Sequence, residues 1–289
     1  PTSRKITFID TPGHEAFTKM RERGANAADI AILVVGADDG VQPQTKEAIK
    51  ILTDTKTHFI VAINKVDKAG EAGVTKTKNE LTAAGVLLEG YGGSVSYQEI
   101  SAKTGQGVSE LLDLILLAAE VEHLTYDPAA PAEGFIIEAK RDARSGVTAH
   151  AIMRNGTLRV GDRVAADAVG GQVKAIQDFL GKRVAFAEPS APIAVFGFED
   201  VPAVGVVFRT GAAPSEARAP SVQKAAAPFP APGAKEENVL RVMLKADVAG
   251  SLEALTHIVT ALPLPKGMSL KIMESGIGDI TDGDVQHAI

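Results

Sequence analysis

The sequence predicts a mixed α/β fold: a parallel α/β sheet unit, then an antiparallel β-barrel, then the start of a second α/β domain. Three observations predict it. Over residues 1–124 short β-prone runs alternate with helical ones, the pattern of a parallel sheet with crossover helices. From Glu133 the β-prone runs follow one another closely, separated by Gly, Asp and Pro, as the strands of a small barrel are. From Asn238 a strand, a helix and a further strand return in that order.

In the first unit, strands are expected at about 4–10, 29–37, 58–64 and 95–101, with helices near 14–27, 43–54, 73–85 and 109–120. The run Asp29-Ile-Ala-Ile-Leu-Val-Val35 is apolar at successive positions, which fits a strand covered on both faces. Leu111, Leu112, Ile115 and Leu116 give the last helix its apolar stripe. Barrel strands are expected at 134–140, 146–153, 162–165, 172–177, 193–198 and 204–209, with a turn at Arg154-Asn155-Gly156. Residues 212–237 are rich in Ala and Pro and lack a core pattern, so they read as a linker. Val239 to Leu244 then reads as a strand, followed by a helix near 250–262, a strand near 270–274 and the start of another helix. The division expected is 1–124, 133–211, the linker 212–237, and 238–289.

A chain of 289 residues can bury two or three cores. Its net charge of −6, with no third of the chain net basic, argues against a broad nucleic-acid-binding surface and leaves room only for a local one. The absence of cysteine excludes disulfides and thiolate metal sites and fits a reducing, cytoplasmic compartment. The longest apolar runs, such as Leu111 to Val121, fall short of the roughly 18 residues of a membrane span, so no membrane partner is expected. Because the chain starts at Pro1 and ends inside an expected helix at Ile289, it reads as a piece of a longer protein.

Three strings carry chemistry. Asp10-Thr11-Pro12-Gly13-His14 stands at the end of the first expected strand, where open α/β sheets place ligands. A carboxylate at Asp10 suits a hydrated Mg²⁺, and Gly13 lets backbone approach a phosphate; taken alone, the string is also a common turn. Asn64-Lys65-Val66-Asp67 follows the apolar run Phe59 to Ile63. Asp67 could accept both donors of guanine's N1 and 2-amino edge, a pair that adenine lacks, and an unpaired buried acceptor is costly enough to select the base. The Lys65 stem could lie along the purine face and the Asn64 amide could tie loops together. Ser101-Ala102-Lys103 closes the last strand of the unit, and the Ala102 N–H could donate to the guanine carbonyl; a strand-to-helix loop capped at Ser109 is the plain alternative. The order of the three, phosphate then base then base, gives weight that no single string has.

With these residues the sequence resembles the translational GTPases, and within them the bacterial initiation factor 2 family. The likeness runs through Asp10-Thr-Pro-Gly-His-Glu-Ala-Phe17, Met20-Arg-Glu-Arg-Gly24, Ala37-Asp-Asp-Gly-Val-Gln-Pro-Gln-Thr45 and Asn64-Lys-Val-Asp67. It continues in Gly156-Thr-Leu-Arg-Val-Gly-Asp-Arg-Val164, similar to the second-domain barrel of these factors. Leu244 to Ala254 and Ser275 to Thr281 resemble the initiation factor's own third domain. The resemblance implies a P-loop-type GTPase sheet, present in part, that binds GTP or GDP with Mg²⁺. In it Asp10 reaches the metal through water, Gly13 senses the γ-phosphate, and His14 orients the attacking water. That assignment is physically sensible, since phosphoryl transfer asks chiefly for positioning and charge stabilisation.

The resemblance further implies a monomer that works on the ribosome, placing initiator tRNA and joining subunits, with the tRNA held by a domain outside these residues. No Gly-x-x-x-x-Gly-Lys-Ser/Thr string occurs in the chain. The P-loop strand of the family lies between the strands expected at 4–10 and 29–37, so a gap in the sheet, weak GTP binding and no detectable hydrolysis are expected of these 289 residues alone. The short linker also departs from the family's longer, charged connection. Three rival readings stay open: an elongation or selenocysteine-specific factor, a non-catalytic ribosome-binding relative, and a metabolic α/β enzyme.

Overall fold

A computed structural model describes residues 5–13, 17–142, 146–213, 239–265 and 268–288, with no account of the side chains of 286–288. The chain divides into two compact units, residues 9–125 and residues 1–8 with 126–289.

The first unit is built on a three-stranded parallel sheet ordered β1 (Ile30–Gly36), β2 (His58–Asn64), β3 (Tyr97–Glu99). Gly36 pairs with Asn64 and Ile63 with Glu99, so the carboxyl ends of all three strands lie level. The helices are α1 (Thr18–Ala27), α2 (Pro43–Thr55), α3 (Val66–Ala83) and α4 (Val108–Val121). β2 is covered on both faces, which fits its unbroken apolar run; β1 is fully covered on one face only, with Val34 57% exposed on the other. Leu33, Val35, Val61 and Ile63 pack with Ile49, Leu52, Val74 and Leu81 on one side, and Ile60 and Ala62 pack with Ile100, Leu111 and Ile115 on the other.

Two expectations need correcting. Residues 5–10 form no strand. The alternation Lys5-Ile6-Thr7-Phe8 buries no face, since Phe8 is 62% exposed, and an extended segment gains little unless neighbouring N–H and C=O groups pair with it. Among the described residues nothing pairs with the outer edge of β1, and with no strand at 5–10 the sheet ends there at a free edge, not at the expected gap between two strands. The helix expected at 73–85 starts earlier, at Val66, and is broken at Gly70, whose φ of 62° and ψ of −175° only glycine adopts without strain. The helix expected at 14–27 is described from Thr18.

The second unit opens with the barrel: β4 (Glu133–Asp142), β5 (Gly146–Asn155), β6 (Leu158–Arg159), β7 (Arg163–Ala166), β8 (Val169–Asp178), β9 (Arg183–Val184), β10 (Phe186–Ala187), β11 (Pro192–Phe198) and β12 (Val207–Thr210). The order β11-β5-β4-β12-β7-β8 is closed by a β11–β8 pairing, giving a six-stranded antiparallel barrel. It is filled by Ile136, Ala149, Met153, Leu158, Val173, Ile176, Val195 and Phe208. The turn expected at 154–156 is present, and Gly156 has φ 66° with the Ala130 carbonyl only 2.4 Å from where a Cβ would stand. The linker expected at 212–237 lies outside the described residues from 214 onward. Beyond it, β13 (Val239–Ala246) and β14 (Ser269–Ile277) pair in parallel around α5 (Ala249–Ala261), and α6 (Asp282–Ala288) follows. Among the described residues no helix is long and apolar enough to cross a membrane.

Candidate functional site

The loops that leave the level ends of β1, β2 and β3 are stitched to one another. The Ala37 N–H donates to the Asn64 carbonyl at 2.8 Å, the Ile100 N–H to Ile63 at 2.8 Å, and the Val66 N–H to Ile100 at 3.3 Å. Asn64 adds a side-chain bridge: its Oδ1 accepts the N–H of Lys65 at 2.8 Å and that of Ala102 at 3.0 Å. A tying role was expected of Asn64, and through it the loop after β2 meets the loop after β3. The Ala102 N–H is therefore already directed at Asn64, so a guanine carbonyl would have to share that donor.

Ser101 is fully buried. Its N–H donates to Gln106 O at 2.9 Å, its carbonyl accepts from Gly105 at 2.8 Å, and its Oγ accepts the Thr104 N–H at 3.2 Å. The turn so closed leaves Ala102 and Lys103 exposed. Gly107 completes it with φ 73°, and a Cβ there would stand 2.1 Å from the Glu99 carbonyl.

Lys65 sits in the left-handed region, φ 65° and ψ 33°, immediately before α3, an uncommon conformation for a residue with a Cβ. Its Nζ pairs with Asp38 and Asp39, each at 2.9 Å, and Lys68 Nζ pairs with Asp38 at 2.6 Å. Hydrogen bonds from Lys68 and Lys65 hold the Asp38 carboxyl well below the usual range, and those to Asp39 and Asp38 raise the Lys65 ammonium. Asp67 is exposed in the first turn of α3 and makes no hydrogen bond or ion pair among the described residues, so both its oxygens can accept from a ligand.

The segment 10–13 is held differently. Arg21 Nη1 donates to the Pro12 carbonyl at 2.9 Å, while its Nη2 pairs with Glu47 of α2 at 2.7 Å. Thr18 Oγ1 also donates to Glu47. Burial pushes the Glu47 carboxyl up, but the bonds from Thr18 and Arg21 outweigh it and leave it below its ordinary value. Gly24 lets α1 pass close to Thr11, whose Cγ2 would be 2.5 Å from an added Cβ. Asp10, Pro12 and Gly13 are exposed and Thr11 half-buried. Among the described residues no hydrogen bond is recorded between 10–13 and the base loops. His14 lies outside the described residues.

The implied Mg²⁺ would find one carboxylate in this segment, Asp10. No group of three His, Cys, Asp or Glu side chains able to hold a metal occurs among the described residues. This donor set fits a water-mediated contact to a cation held mainly by phosphate oxygens, as Mg²⁺ prefers, and does not fit a protein cage. Sequence reasoning assigned no role to Asp38, Asp39 or Lys68, nor to the Arg21–Glu47 pair. The only available signal was two acids directly after the β1 run.

Three family models match in succession: the elongation factor Tu GTP binding domain over residues 1–120, elongation factor G domain 2 over 131–211, and translation-initiation factor 2 over 217–289. The chain is 46% identical to a chloroplastic translation initiation factor IF-2 of Euglena gracilis across 98% of its own length and 36% of that protein's. It is 42% identical to the IF-2 of Dehalococcoides mccartyi across 99% of the chain and 50% of that protein. It thus spans between about a third and a half of these relatives. A GDP-bound aIF5B from Aeropyrum pernix shares the fold with a TM-score of 0.61 and 25% identity, over 96% of this chain and 54% of that one. The elongation factor SelB of Methanococcus maripaludis, in complex with the GTP analogue GppNHp, gives 0.56 and 25% over 70% of this chain and 45% of that one.

Proposed function

Because the chain belongs to the translation initiation factor 2 family of translational GTPases, we propose that it supplies the base-recognising part of a guanine-nucleotide switch that promotes translation initiation. In this reading residues 1–124 belong to the GTP-binding domain, 133–211 form the barrel, 212–237 are the linker and 238–289 open the third domain. The initiation assignment is favoured over an elongation or selenocysteine-specific factor by the match of residues 217–289.

Asp67 accepts the N1 and 2-amino donors of guanine, Ala102 shares its N–H with the base carbonyl, and Lys65 lies along the purine face. Asn64, Ser101 and Lys103 belong to the loops that hold them in place. Asp10, Thr11, Pro12 and Gly13 face the phosphates, and Asp10 would hold, through water, a Mg²⁺ that would supply charge neutralisation there. In the whole-length protein His14 orients the water for GTP hydrolysis stimulated by the ribosome. The partners are the ribosome and, through a part of the family's protein outside these residues, initiator tRNA; the protein acts as a monomer in the cytoplasm. No Gly-x-x-x-x-Gly-Lys-Ser/Thr string is present, so tight nucleotide binding is assigned to the whole-length protein.

The observation that supports the reading is the double bridge from Asn64 to Lys65 and Ala102, which ties the loop leading to Asp67 to the Ala102 turn. The test is Asp67→Asn in a chimera with a translational-GTPase P-loop segment fused ahead of Pro1. An amide replaces one acceptor with a donor, so the preference should move from guanine towards xanthine nucleotides, by at least about tenfold. Unchanged selectivity for GDP over xanthosine diphosphate rejects the assignment.

A further inference from the structure

Lys65 is fixed at both ends of its side chain. At the backbone, its N–H is taken by Asn64 Oδ1 at 2.8 Å and its carbonyl accepts from Lys68 and Ala69 at 3.0 and 3.1 Å, which locks the left-handed conformation. At the tip, Nζ lies 2.9 Å from a carboxylate oxygen of Asp38 and 2.9 Å from one of Asp39. The two acids come from another loop, and that loop is itself rigid. The N–H groups of Asp39 and Gly40 both return to the Gly36 carbonyl, at 3.2 and 2.8 Å. Gln42 Nε2 donates to the Asp39 carbonyl at 2.7 Å, and the Val41 N–H to Glu80 at 2.8 Å.

The Asp38 side chain is only 10% exposed and shares its second oxygen with Lys68. Isolated surface ion pairs contribute little, but a network whose central acid is withdrawn from water and whose backbone is fixed is the exception. Gly36 lies under this network: a Cβ there would stand 2.9 Å from Asp38 Oδ1 and 3.5 Å from Lys65 Nζ.

We propose that Asp38 and Asp39 form a two-carboxylate clamp that holds Lys65 in place for the purine ring of a guanine nucleotide, and so act as positioning residues for base recognition. A free lysine stem loses many rotamers when it is laid against a ligand. The clamp bears that loss when the chain folds, so the nucleotide meets a stem already ordered. The inference rests on the base-site reading of Lys65 and Asp67 given above.

The test uses the 289-residue chain labelled with ¹⁵N on lysine and on backbone amides, titrated with GDP up to about 10 mM, the range for a site without phosphate contacts. Backbone shifts of Asp67 and Ala102 report binding, and the Lys65 ammonium resonance, assigned through Lys65→Arg, reports order at the tip. In the wild-type chain the ammonium should be ordered before any GDP is added. Asp39→Asn should release it and weaken GDP binding about threefold to tenfold, while Asp39→Glu restores both. Gly36→Ala, which keeps every charge but crowds the network, should weaken binding in the same direction.

GDP affinities equal within about twofold across wild type, Asp39→Asn and Gly36→Ala overturn the clamp and leave the base site standing. A mobile Lys65 ammonium in the wild-type chain, or tighter GDP binding by Asp39→Asn, also overturns it. No GDP-induced shift at Asp67 or Ala102 in the wild-type chain overturns the base-site reading and the clamp with it.

Discussion

Replacing Asn64 with alanine should loosen the junction of the two base loops selectively. Its Oδ1 accepts two backbone N–H groups, from Lys65 at 2.8 Å and Ala102 at 3.0 Å, and alanine leaves both donors without that partner. A hydrogen bond contributes about 0.5–1.5 kcal/mol net. Asn64 is half-buried and Ala102 exposed, so water can take up part of the loss, and the expected cost is about 1–2 kcal/mol for the pair. A factor of ten corresponds to about 1.4 kcal/mol, so local opening should become about five- to thirtyfold more frequent. The assay is backbone amide hydrogen exchange. The N–H groups to follow are Lys65, Ala102, Val66 and Ile100, the last two being bonded across the same junction. The barrel amides of β4 and β5 serve as an internal reference. Asn64→Asp keeps an acceptor at the same place and should change exchange by less than about threefold. If Asn64→Ala leaves all four amides within about twofold of wild type, the side chain does not hold the loops together and this account of the site is wrong.

Other outcomes are expected. With a P-loop segment fused ahead of Pro1, His14→Ala should leave GTP affinity nearly intact and slow ribosome-stimulated hydrolysis at least about tenfold, as loss of a positioning group does; an unaltered turnover number removes His14 from the mechanism. Asp284 is held down to about 2 by the Thr281 backbone N–H, the Lys245 ammonium and the Thr281 hydroxyl. Its folded pKa lies below its unfolded one, so its stabilisation is complete above the ordinary value of 3.8 and fades as pH falls towards about 2. Asp284→Asn should therefore reduce exchange protection in β13 and β14 at neutral pH and flatten its acid dependence across that window; identical acid profiles for the two proteins count against the pairing. Gly197 sits at the register shift of β11 with φ 124°, where a Cβ would lie 1.9 Å from the Gln172 carbonyl. Gly197→Ala should cost the barrel about 3 kcal/mol or more, read from its urea midpoint, and a midpoint within error of wild type contradicts that geometry.

What could be read from the sequence followed from burial. Ile30–Gly36 and His58–Asn64 were legible as strands because nearly every position is apolar, in His58–Asn64 because both faces of that strand are covered, although Val34 of the first is 57% exposed. The barrel strands were legible through their turn residues, except β6, β9 and β10, which at two residues each are too short to carry a pattern. Lys5 to Phe8 has the alternation of a strand and forms none, because alternation specifies two faces but no hydrogen-bonding partner.

The site divides along the same line. Asn64, Asp67 and Ala102 could be named as candidates because each stands at or just beyond a strand end, and strand ends follow from the apolar pattern. The clamp could not be placed in the same way. It joins Asp38 and Asp39 to Lys65 across 27 and 26 residues of sequence, respectively, and Lys65 has a positive φ of 65°, which no residue type other than glycine signals in advance. The Arg21–Glu47 pair likewise spans 26 residues and joins two helices whose packing the pattern does not specify. The groups expected to touch a nucleotide are thus local to strand termini, whereas the contacts that hold those groups still are long-range, and they had to be seen in three dimensions.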